Sequence, residues 1–202
     1  MHGIETGKRW IVMNLAGAFL LLLSLAGCDT PGPQGMLPTG RWAGEGTFVY
    51  EHWKGEAASQ ASIHRQYPTT LSIQPGEVDG HIVLLLDVEL DRGSLPDMGD
   101  KTVLKAALVE AKRVSDTTVL YRLVGLLANP KPSERLSFDE HTPPYAASCT
   151  TSAGATIFQI IHGEQAVDVY RFRGRELDKA GSFSDQKEGL IHWTEHLVRQ
   201  GD

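Results

Sequence analysis

The chain is expected to be mainly β: an antiparallel meander of about eight strands, followed by a C-terminal amphipathic helix. Two observations lead there. Apolar, β-branched and aromatic runs recur between residues 39 and 183, separated by clusters of Gly, Pro, Asp and Ser. The runs follow one another without long crossovers, as an up-and-down barrel requires. With 202 residues, 41% hydrophobic and 22% charged, the composition suits one ordinary globular domain. A formal charge of -6 without a basic block argues against a nucleic-acid partner.

The first element is "GRWAGEGTFVYEHW", and "SIHRQYPTTLSI" follows. "QPGEVDG" has turn composition, and "HIVLLLDVEL" is an apolar β run. Residues 101–114, "KTVLKAALVEAKRV", are ambiguous. Alanine and lysine favour a helix, whereas an "SD" turn into "TTVLYRLVGLL" favours a hairpin, and a strand is expected. "ERLSF" reads as a further strand, and residues 141–154 as a long irregular loop. The last hairpin is "ATIFQIIHGEQAVDVYRFRG".

Residues 184–202 read as a helix. Asp185 and Glu188 form a capping pair, and Leu190, Ile191, Thr194, Leu197 and Val198 share one arc of a helical wheel. His192, Glu195, His196 and Arg199 fall on the opposite arc.

Residues 1–27 read as an address. Lys8 and Arg9 precede the apolar run "WIVMNLAGAFLLLLSLAG", the pattern of an export signal. The run ends in Leu25, Ala26, Gly27 and Cys28, which resembles the lipobox of bacterial lipoproteins. The resemblance implies cleavage before Cys28, a diacylglycerol group on its thiol and an acylated new amino terminus. Two or three acyl chains hold a protein to a bilayer where one does not. An uncleaved transmembrane helix and a plain secretory signal are the competing readings. Residues 28–38, "CDTPGPQGMLP", would then be the lipidated cysteine and a semi-stiff Pro/Gly-rich tether. The domain would lie on the periplasmic or extracellular side of an inner or outer membrane.

"TGRWAGEG" resembles the G-x-W opening strand of lipocalin-like, or calycin, barrels, with Gly40 and Trp42 at the family's positions. That resemblance implies that Trp42 plugs a closed barrel end and that an arginine from the final strand packs across its indole. "YRFRG" offers Arg171 or Arg173 for this role. The family's T-D-Y-like loop and disulfide have no counterpart here. In a β-sandwich, the alternative architecture, Trp42 would be a core aromatic.

Few residues present themselves for chemistry. His192, Glu195 and His196 spell H-x-x-E-H, which resembles inverted-motif zinc peptidases. Only "LVRQGD" follows, so the distant third ligand of those enzymes has no counterpart, and His192 and His196 are weak metal candidates. Cys149, in "SCTTSAG", is a small apolar filler or a nucleophile served by His141 or His162. Asp87 and Glu89 share a strand face, as an acid–base pair or a solvated edge. Trp53, Tyr67, Phe138 and Phe158 are candidate core or cavity aromatics. There is no phosphate-binding glycine loop and no C-x-x-C, and no cofactor is expected.

Together these features lead to a lipid-anchored envelope protein with a lipocalin-like domain that either holds a small apolar ligand or serves as an interaction scaffold. The rival is an envelope hydrolase using the Cys149 loop or the His192/His196 pair.

Overall fold

A two-residue period governs the described strands between Gly40 and Arg199, and they close a sheet on itself. The computed structural model describes residues 37–52, 63–91, 101–139, 146–162, 166–185 and 189–201. The expected leader, Cys28 and most of the tether lie outside them. The described residues form ten antiparallel strands: β1 (Gly40–His52), β2 (Ile63–Val78), β3 (His81–Asp91), β4 (Lys101–Ser115), β5 (Thr118–Ala128), β6 (Ala146–Ser152), β7 (Ala155–His162), β8 (Ala166–Arg173), β9 (Glu176–Asp185) and β10 (Gly189–Arg199). Each pairs with its neighbours in sequence, and β1 pairs with β10, so the meander is a closed barrel.

The two ends of this barrel differ. At one end two-residue turns join the strands, at residues 79–80, 116–117, 153–154 and 174–175. Asp79–Gly80 and Ala153–Gly154 have positive φ at both positions, the twist-matched geometry of tight hairpins. The other end is joined by residues 53–62, 92–100, 129–145, 163–165 and 186–188.

Alternate side chains fill the interior. Trp42, Phe48, Tyr67, Leu71, Leu123, Phe158, Tyr170, Phe172, Leu177 and Leu197 are buried in one cluster. Ring contacts run from Trp42 to Phe172 (5.2 Å), Tyr170 (6.5 Å) and Phe158 (5.5 Å), then to Tyr121 (6.2 Å). At the tight-turned end Leu37 is buried, and its N–H donates to the Tyr121 hydroxyl at 3.3 Å.

A smaller cluster covers the outer wall. Leu136 and Phe138 pack on Val78, Val83, Ala107 and Val124, which face away from the interior. The Phe138 N–H donates to Asp79 at 2.7 Å, and its ring stacks on His81 at 3.8 Å.

The strand expected over 101–114 is present as β4. The strand count is corrected from about eight to ten, and the differences have physical causes. "ERLSF" is not a strand: its apolar alternation is used to strap the outer wall. The loop expected over 141–154 contains β6, whose small residues Ala147 and Cys149 face inward. Pro75 and Gly76 lie inside β2, so "QPGEVDG" turns only at Asp79 and Gly80.

β9 was not expected, because Lys179 and Gly181 occupy inward positions and erase its apolar alternation. The C-terminal helix expected over 184–202 is also corrected. Its core is β10, and none of the described residues is helical. Ile191, Trp193, Thr194 and Val198 have the shapes that suit a pleated sheet, and pairing with β1 and β9 overrides a helical wheel that fits equally well.

Trp42 supplies a test of the interior. Its side chain is buried, and its indole nitrogen has no hydrogen-bond partner among the described residues. Trp42→Ala should cost about 3–5 kcal/mol in urea unfolding. Trp42→Phe should cost much less, since it deletes a donor that makes no bond.

Candidate functional site

A charged group sits inside the barrel. Glu195 on β10, Lys179 on β9 and Asp168 on β8 all point inward and are buried. The Lys179 ammonium donates to Glu195 at 3.2 Å and lies 3.6 Å from Asp168. The Tyr67 hydroxyl donates to Glu195 at 2.8 Å, Thr69 to the other carboxylate oxygen at 3.3 Å, and the Trp193 indole N–H to Asp168 at 3.0 Å. Lys179 also lies 5.4 Å from the Tyr170 ring. Burial holds the Tyr170 hydroxyl well above its ordinary range, and the Asp168 and Glu195 charges add to that.

Two glycines make room for this group. A Cβ on Gly46 would lie 2.7 Å from both the Glu195 side chain and the Tyr67 ring. A Cβ on Gly181 would lie 2.4 Å from the Trp193 indole, which crosses that position toward Asp168.

At the tight-turned end the Arg199 guanidinium lies 5.8 Å from the Trp42 ring and donates to the Thr39 carbonyl at 2.9 Å. The role expected of Arg171 or Arg173 therefore falls to Arg199, because the final strand is β10. Arg171 and Arg173 are exposed on β8.

Outside, a depression of about 510 Å³ spans β8, β9, β10, β1 and β2. One row of it is in register across four strands: Arg171 opposite Asp178, Asp178 opposite His196, and His196 opposite Glu45. His196 Nδ1 donates to Asp178 at 2.8 Å, both residues being exposed. Arg171 and Glu45 have no ion pair or hydrogen bond among the described residues. Thr47 and Thr194 face each other in the next row.

This arrangement corrects the reading of H-x-x-E-H. On a strand, His192 and His196 share a face but stand roughly 13 Å apart at about 3.3 Å per residue, too far to chelate one ion. Glu195 points to the opposite face and is spent on Lys179, Tyr67 and Thr69. Among the described residues no cluster of three or more His, Cys, Asp or Glu is placed to hold a metal ion.

Cys149 is fully buried between β5 and β7, opposite Val119 and Phe158. Burial raises its thiol from 9.0 to about 12, so it is protonated and shielded rather than nucleophilic. The His162 side chain and His141 lie outside what is described. Asp87 pairs with Lys105 at 3.9 Å, and Glu89 is exposed. Tyr67 and Phe158 are core residues, Phe138 belongs to the outer strap, and Trp53 lies outside the described residues. Sequence reasoning missed Lys179, Asp168 and Arg199. The available signal was the alternation Asp168–Tyr170–Phe172, which places an acid on an otherwise aromatic inward face.

No protein-family model and no curated protein match the chain. Among solved structures, it is similar to the S-type phycobiliprotein lyase CPES from Guillardia theta, at 11% identity and a TM-score of 0.42, over 81% of this chain and 89% of that one. The closed barrel rests on the strand register and not on that likeness.

Lys179→Met should cost about 3–5 kcal/mol in urea unfolding, because it leaves two buried carboxylates without their cation. The combined Lys179→Met, Glu195→Gln and Asp168→Asn variant should cost less than the single one. For Cys149, the native state keeps its proton to about pH 12, whereas the unfolded chain releases it near 9.0. This contribution to stability is complete below pH 9 and is lost as pH rises toward 12. Cys149→Ala should lessen that fall, and a thiol reagent at pH 8 should modify Cys149 only after unfolding.

Proposed function

We propose that this chain is a membrane-anchored bacterial lipoprotein of the cell envelope, whose lipocalin-like barrel is an interaction and scaffold module rather than a hydrolase. One observation carries the reading: the interior is occupied by interlocking rings and a satisfied charged group. A barrel filled in this way holds its shape and presents its outer surface; it does not offer a capacious apolar chamber. The burial of Cys149 and the separation of His192 from His196 along β10 support this reading over a hydrolase.

The anchor reading draws its support from the sequence "LAGC". In this reading residues 28–38 are the lipidated cysteine and the tether, and Leu37 within it is buried at the tight-turned end. In this reading that end faces the bilayer, and the connections at the opposite end face away from it.

A second reading, a small apolar ligand held at the far end, has one observation in its favour. Tyr50, Ile191 and Trp193 are half-buried at inward positions near that end, and Phe183, also on the inward face, is 36% exposed.

Cys28→Ser should abolish labelling by a palmitate analogue and accumulate the precursor. A mutant that still labels and partitions with membranes overturns the anchor. Native mass spectrometry of the detergent-purified full-length protein should give the mass of the lipidated chain alone. A stoichiometric co-purifying small molecule would favour the second reading instead.

A further inference from the structure

The geometry points to the outer depression on β8, β9, β10, β1 and β2 as a binding site for a short zwitterionic peptide, with its carboxylate at Arg171 and its ammonium at Glu45. This rests on the reading of the barrel as an interaction module and names the surface and the ligand class.

The two end charges are of opposite sign, and both are exposed. Neither is spent on a partner among the described residues. Between them the Asp178 carboxylate is already engaged, because His196 donates to it at 2.8 Å. The depression therefore presents one uncommitted cation at one end and one uncommitted anion at the other. β8 and β1 are separated by two intervening strands, so the charges stand about 14 Å apart at about 4.8 Å per strand spacing. An extended tetrapeptide spans about 13–14 Å at its full reach of about 3.3–3.6 Å per residue.

The rest of the depression suits such a chain. Thr47 and Thr194 place hydroxyls along one side, where a peptide's amide groups need partners. Val169 and Ala180 floor the other part of that row without charge. A fatty acid would leave Glu45 facing its chain, and a polyanion would be repelled by Glu45 and Asp178. A ligand with both charges, one at each end, leaves neither group unmatched.

The test uses tetra-alanine with free ends, its N-acetylated form and its C-amidated form, titrated into the detergent-purified full-length protein. Amide shifts of Thr47, Ala180 and Thr194 are followed by NMR. The free peptide should bind, and blocking either end should weaken it by about two- to fivefold, the scale of an exposed charge pair. Glu45→Gln should erase the difference between free and acetylated peptides, and Arg171→Gln that between free and amidated ones. Both substitutions are at exposed positions, and circular dichroism checks that the fold is kept.

The site is overturned if no peptide shifts these amides at about 10 mM, where even weak sites fill. It is also overturned if blocked and free peptides bind alike, or if only the carboxylate end matters, which would make it a simple anion site. A failed titration of a protein that still labels with the palmitate analogue and carries no co-purifying molecule would remove this site while leaving the anchored interaction module in place.

Discussion

The pairing of β1 with β10 is the contact on which the rest of this molecule depends. It runs in unbroken register from Trp42 opposite Arg199 to His52 opposite Gly189. Without it the meander would be an open sheet with two long unpaired edges, each a template for aggregation. The entropy of joining such distant segments is modest, since closing a span of about 150 residues costs only about 2–3 kcal/mol more than closing ten. Closure returns more than hydrogen bonds. It brings Arg199 over Trp42, and it sets Glu195 beside Gly46, where Tyr67 reaches it from the far side of β1. Such long-range pairing is also slow to form, so this barrel belongs with the slower-folding topologies.

The ion group on the inner wall is an expensive feature in an otherwise aromatic interior. Desolvating three charges costs more than their attraction returns unless each is further hydrogen-bonded. Here the additional donors come from Tyr67 and Thr69 on β2 and Trp193 on β10. They link strands that are far apart in sequence. Shifting β10 by one residue would turn Glu195 outward and bury Thr194 or His196 in its place. The group thus fixes the register at which the barrel closes, in addition to whatever it contributes to stability.

How much of this was legible in the sequence depended on what faced inward. Strands with apolar inward faces, such as β3 and β4, announce themselves by composition even where alanine and lysine argue for a helix. β9 does not, because Lys179 and Gly181 sit where apolar side chains would make it readable. β10 misleads, since its apolar residues fit a helical stripe and a pleated face alike. Only the partner strands decide, and they lie far away in the chain. The same ambiguity governed the sites. The arginine over Trp42 is Arg199 of β10 and not Arg171 or Arg173, because β10 could not be read as a strand from its own residues. H-x-x-E-H is a constellation only on a helix. On a strand it divides between two faces, one of which is dry.

An even number of up-and-down strands has a topographic consequence. The chain enters and leaves the barrel at the same end, with Leu37 beneath Tyr121, and Gln200 donating its N–H to the Arg41 carbonyl at 2.7 Å. Anything fused after β10 would therefore emerge beside the incoming segment, at the tight-turned end. A tag or reporter meant to stand clear of both chain ends belongs in the connections at the opposite end, for instance between β3 and β4. An insertion there does not part the two strands that close the wall.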